Sequence, residues 1–318
     1  MKAPTSSSRR GFTFVELLVV IAIIGILVSL LLPVVSMLRD VGRRHSCANN
    51  LAQLAIALQG YETFHGVLPS GVVNAKGPIR NEAVGYHMGW LVQILPNLDE
   101  KNAFRMVNFS VGVYDRRNAA VRVHRIRTLL CPSDTAVASI GADAPAPSSY
   151  AGCHNDVEAP IDTSNDGVLF LNSRIGQQDI LDGTSHTLVV GEKKLGDPVE
   201  LGWMSGTRAT MRNTGVTPNG LSQAGLLGWG QRGPDAEDGI APADQPGPPS
   251  QAAPGESGKS KKAEERALLT VGMFSSYHPG GANFLMADGS VRLLSNAINP
   301  LVFAHLGNRA DGYLTDEY

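Results

Sequence analysis

The chain has 318 residues, a net charge of −2 and only 18% charged side chains. That length suits one large domain or two modest ones, and the near-neutral balance excludes a global field that would recruit nucleic acid. Its 35 glycines punctuate turns, and the short apolar runs between them predict a β-rich globular part.

Residues 1–11 read MKAPTSSSRRG, with Lys2, Arg9 and Arg10 and no acid. FTFVELLVVIAIIGILVSLLLPVVSMLRD follows, and its 22 residues from Leu17 to Leu38 carry no charge. As a helix that stretch spans about 33 Å, enough for a hydrocarbon core of roughly 30 Å. Glu16 opens the run, four residues after Phe12 and on the same helical face.

Three readings compete for this segment. A secretory signal peptide wants an apolar stretch of about 7–15 residues and a small-residue cleavage site. The stretch here is longer, and VVSMLRDVG offers no such site. A twin-arginine signal comes closer, because Ser8-Arg9-Arg10-Gly11-Phe12 partly fits, but such signals are less apolar and are cut after the apolar run. The third reading accounts for leader, junction, acid and helix together. Gly11-Phe12-Thr13-Phe14-Val15-Glu16, with Gly25 and Pro33 downstream, resembles the G-F-x-x-x-E signature of type IV pilins and pseudopilins.

That resemblance implies a prepilin peptidase that cuts between Gly11 and Phe12 and methylates the new amine of Phe12. It makes Glu16 an assembly residue, facing the Phe12 ammonium of a neighbouring subunit. An acid at a helix start is also favoured by the macrodipole, and the two roles are compatible. The partners implied are the peptidase, the lipid bilayer and other pilin-like subunits. Arg39, Arg43 and Arg44 follow the helix, so positive charge flanks both ends and the positive-inside rule is silent. A head on the periplasmic side of the inner membrane therefore rests on the resemblance.

Leu51, Leu54, Ala55 and Leu58 recur at helical spacing and predict a helix that continues past Pro33, with stop signals at Gly60 and Gly66. The expected division is a leader at 1–11, a membrane and stem helix at 12–66 and a globular head at 67–318. Within the head, GWLVQILPNLDEKNAF reads as one or two short helices bounded by Pro96. Five arginines and His124 between Arg116 and Arg127 read as a solvated helix face. Residues 233–265 are rich in Pro, Gly, Ser and charge, which predicts a disordered insertion. Asp288-Gly289 predicts a two-residue type I′ turn between strands Phe284–Met286 and Val291–Leu294, with a helix from Ile298 to Leu306 after it.

Three further motifs extend the resemblance over nearly the whole chain, from Arg10 to about Leu306. They are CPSD at 131–134, DGTSHTLVVGE at 182–192, and His278 with nine residues before Asp288-Gly289. Together they resemble the DUF1559 family, whose members carry prepilin-type N-termini and a C-terminal H-x9-DG motif. Its stem is similar to that of the type II secretion major pseudopilins. The implied fold is α+β, a long N-terminal helix packed on a β-rich, pilin-like head.

His278 and Asp288 offer two metal ligands where closed zinc sites use four, so no metal is assigned to them. Their expected roles are structural: Asp288 and Gly289 form the turn, and His278 bonds the strand edge. Asp162-Thr163-Ser164-Asn165-Asp166-Gly167 resembles half a calcium loop, but Ser173 stands where the twelfth-position acid belongs. Calcium binds heads of related pseudopilins, which keeps it a candidate here; no other cofactor is implied. G-x-S-x-G, H-E-x-x-H and P-loop patterns are missing from the sequence, and His154 is merely adjacent to Cys153, on the opposite side if both lie on a strand. The expectation is therefore a structural subunit and not an enzyme. The alternative is an envelope-anchored module whose head binds a polysaccharide or partner. Of the three cysteines, Cys47 in SCANNL and Cys131 in CPSD hold positions that recur in the family, so the resemblance implies a Cys47–Cys131 disulfide. A Cys131–Cys153 bridge and three buried thiols remain open alternatives.

Overall fold

The computed structural model describes residues 14–136, 140–141, 143–196, 199–220 and 256–313. One helix, α1, runs Phe14–His65. The chain divides into two compact units, Met1–His45 and Ser46–Tyr318.

In the first unit the Phe14–Leu31 stretch of α1 is apolar apart from Glu16 and Ser29, and its side chains are exposed. In the second its remaining turns bury Cys47, Leu51, Leu54 and Leu58, spaced four, three and four apart along one helical stripe. Each such leucine contributes on the order of 1.5–3 kcal/mol relative to exposure. Gly60 does not end the helix; Gly66 does, its N–H donating to the Glu62 carbonyl at 2.7 Å.

The head is built around a five-stranded mixed sheet in the order β5-β3-β4-β6-β7. Its strands are β3 Tyr150–Asn155, β4 Leu188–Glu192, β5 Met211–Asn213, β6 Gly281–Met286 and β7 Val291–Ser295. A two-stranded ribbon pairs β1 Val72–Val73 with β2 Met88–Gly89. The β3–β5 pair is parallel and the other pairs in the main sheet are antiparallel. Every residue of β3, β4 and β6 is buried, as expected where both faces of a sheet are covered. Alternate residues of β6 divide between two cores. Leu285 joins the core that includes Leu51, Leu54 and Leu58 of α1. Ala282, Phe284 and Met286 join a second one with Phe274, Phe303 and Leu306. Gly191 of β4 is required there, since a Cβ would stand 2.5 Å from the Phe284 ring.

Short helices and irregular connections surround the sheet. Trp90–Ile94 (α2) and Lys101–Met106 (α3) flank the 3-10 turn Leu95–Asn97, which contains Pro96. The basic run holds Ala119–Arg122 (α4), with Arg116, Arg117, Arg125 and Arg127 exposed. Pro300–Gly307 (α6) begins at an Asn299 cap whose side chain accepts from the Leu301 N–H.

Two expectations need correction. The β6–β7 hairpin is not closed by a type I′ turn. The Gly289 N–H bonds the Met286 carbonyl at 3.0 Å, and of the Asp288-Gly289 pair only Gly289 has positive φ, at 87°. This is the three-residue loop ending in a left-handed glycine, the hairpin connection next in frequency to the two-residue one. The interval 233–265 is also not uniformly disordered. Residues 233–255 lie outside the described residues, but Glu256–Leu269 forms a helix, α5. Ala, Glu, Lys and Arg are strong helix formers, so low apolarity there does not prevent order. Its last turn is tied down: Asn81 N–H donates to the Leu268 carbonyl at 2.8 Å, and Arg208 reaches the Ala267 carbonyl at 3.2 Å.

Candidate functional site

The first candidate is the start of α1. Phe14–Leu31 has a mean hydropathy of 3.0 and no buried share, and by length and composition it is able to cross a membrane. A helix this apolar on all sides needs lipid or partner helices around it. Glu16 sits in its first turn and is exposed. Gly11 and Phe12, the expected processing junction, lie outside the described residues.

The second candidate lies inside the head, where three motifs far apart in sequence meet. Cys47 of α1 and Cys131 of CPSD form a disulfide with Cα atoms 5.3 Å apart. His278 Nε2 lies 3.6 Å from Cys131 Sγ and 3.3 Å from Glu192 Oε1. All four residues are buried. Asn283 fixes Glu192, its backbone N–H donating to Oε2 and its Nδ2 to Oε1, both at 2.9 Å. The Ser276 hydroxyl accepts from the His278 N–H at 3.1 Å. Tyr150 of β3 donates its hydroxyl to the Cys47 carbonyl at 3.2 Å, which ties α1 to the sheet beside the disulfide.

Other motif residues serve as ties. Asp134 accepts from the Leu195 N–H at 2.8 Å and the Ala136 N–H at 3.0 Å, while burial pushes its carboxyl upward. Asp182 accepts from the N–H groups of Asp311 and Gly312. Asp288 accepts from the Ser290 N–H at 2.8 Å and shapes the hairpin turn. His278 and Asp288 sit beyond opposite ends of β6, whose six residues span about 20 Å, so they form no ligand pair. In the half calcium loop, Arg309 Nη1 donates to the carbonyls of Asn165 and Gly167, at 3.0 and 2.9 Å. Ser173 accepts from the Gly71 and Phe170 N–H groups instead of facing that loop. Cys153 is a free, buried thiol, and burial pushes its pKa up, which removes its nucleophilic form.

Sequence reasoning did not single out Glu192 or Asn283. The available signal was a glutamate closing the apolar run LVVGE, since a buried acid requires a partner.

An N-terminal helix long and apolar enough to cross a membrane precedes an α+β head, and together with the motif reported next it marks a membrane-anchored, pilin-like protein. The prokaryotic N-terminal methylation motif matches residues 6–32, which is the prepilin-type signature. The chain belongs to the family described as protein of unknown function (DUF1559), whose model matches residues 37–301. No curated protein and no solved structure matches.

Proposed function

We propose that the protein is a structural, pseudopilin-like subunit. A prepilin peptidase cuts it between Gly11 and Phe12 and methylates Phe12. The anchored chain then packs side by side with other subunits, in a filament driven by a type II secretion or type IV pilus apparatus. The observation that carries this reading is the uniformly apolar Phe14–Leu31 helix with an acid in its first turn. An acid within the membrane costs on the order of 2.5–3.5 kcal/mol. In a bundle the methylated ammonium of a neighbour's Phe12 offsets that cost, so Glu16 sets the register of packing. The Cys47–Cys131 disulfide supports a head on the oxidising side of the membrane. A hollow between Leu58, Gln59 and Leu285 measures about 20 Å³, room for one water.

The test is crosslinking in native membranes of cells that assemble the protein. Glu16→Ala should leave the protein in the membrane fraction and abolish the ladder of crosslinked oligomers. An unchanged ladder would remove the register role.

A further inference from the structure

The buried cluster of Cys47, Cys131, Glu192 and His278 stands apart from the apolar helix on which filament assembly would depend. The two sulfurs, the His278 nitrogen and a Glu192 oxygen all lie within 4.8 Å of one another. They come from four separate places: α1, the CPSD loop, the end of β4 and the loop before β6. A tetrahedral zinc site with ligand bonds of about 2.0–2.3 Å has ligand–ligand edges of roughly 3.3–3.8 Å. Two edges already have that length, His278 Nε2 to Cys131 Sγ at 3.6 Å and His278 Nε2 to Glu192 Oε1 at 3.3 Å. Asn283 holds the carboxylate from outside, as the supporting shell of a metal site does. The bond between the sulfurs stands in the way of a closed site.

We propose that reduction of the Cys47–Cys131 disulfide converts this cluster into a tetrahedral site for a zinc-class divalent ion, ligated by both thiolates, His278 and Glu192. Cross-link and ion are mutually exclusive, so the redox state selects between them. A dithiol opens the bond by exchange: it gives up two electrons and leaves as its own disulfide, and the protein sulfurs become thiols. Binding the ion then releases the two thiol protons. Filled, the site carries one net negative charge, two positive against three negative, as a Cys₃His zinc site does.

The test uses the full chain in detergent micelles, reduced with a water-soluble phosphine and then desalted. The phosphine takes its oxygen from water and becomes the phosphine oxide, and both sulfurs leave as thiols. The reduced chain is titrated with Co²⁺ alone. It should take up one Co²⁺, with thiolate-to-metal charge transfer and the intense visible bands of tetrahedral cobalt, and Zn²⁺ should bleach both. The oxidised chain should show neither. His278→Ala should weaken cobalt binding beyond the about 10–100-fold that loss of an outer-shell partner costs. The Cys47→Ser/Cys131→Ser chain retains Cys153 and should give no charge-transfer band. Circular dichroism follows the fold of each sample. A folded reduced chain with no bands, with only weak octahedral bands, or with bands equal to those of the double serine variant would overturn the proposal. So would a chain that unfolds on reduction and does not refold with Co²⁺.

Discussion

His87 and His154 are both buried, and burial pushes each imidazole below its ordinary value of 6.5. At His87 this outweighs the pull of Glu82; at His154 it outweighs hydrogen bonds to the Ala159 and Arg212 carbonyls. Below pH of about 6.5 the unfolded imidazoles take up protons while the folded ones stay neutral. Unfolding then binds protons, so stability is lost as pH falls below about 6.5 toward the lowered folded values, beneath which the loss levels off. The melting temperature of the head should therefore drop between about pH 6.5 and 5.5. His87→Asn tests one share of this: asparagine tolerates the positive φ of 43° and can still bond Tyr114. Its drop should be shallower than that of the unsubstituted chain, and an equal drop would contradict the assignment. Roles set by neighbours in sequence were legible at this scale. Asp288 and Gly289 shape their turn as the dipeptide implies, although the turn is of a different type. Glu192 was not legible, because its role depends on His278, 86 residues later, and on Asn283 across the strand pair.

Among the elements, α1 could be read from its residues because a helix is a local repeat: the uncharged run and the Leu51–Leu58 stripe each declare it. The β6–β7 hairpin was equally local. The parallel β3–β5 pairing and the insertion of β4 between β3 and β6 were not, since partners tens of residues apart leave no short-range period. Helix α5 was missed because its charged residues were weighed as unable to form a core, when their helix propensity and its docked last turn decide the outcome. The disulfide connects α1 to the CPSD loop across a sequence separation of 84. Closing so long a loop stabilises the fold by about 4–5 kcal/mol in the chain-entropy model, and removing native bridges commonly costs about 2–5 kcal/mol. Urea unfolding of the Cys47→Ser/Cys131→Ser chain should show a loss in that range. A loss below about 1 kcal/mol would show that the helix is held by packing and by Tyr150 without help from the cross-link.

On the scale of the whole molecule, the two units treat their apolar residues differently. Ser46–Tyr318 buries its apolar residues in two cores on either side of one sheet. Phe14–Leu31 buries none, which fits a segment whose apolar surface is meant for lipid and for neighbouring helices. The methylation motif at 6–32 spans the Gly11–Phe12 junction, where the proposed processing would remove the leader. Everything proposed for Glu16 requires a free, methylated amine four residues before it. Mass spectrometry of the N-terminal peptide, taken from the membrane fraction of cells with an active prepilin peptidase, tests this most directly. The mature chain should begin at Phe12 and carry an N-methyl group. An intact Met1 terminus, or a chain cut after the apolar run, would contradict this.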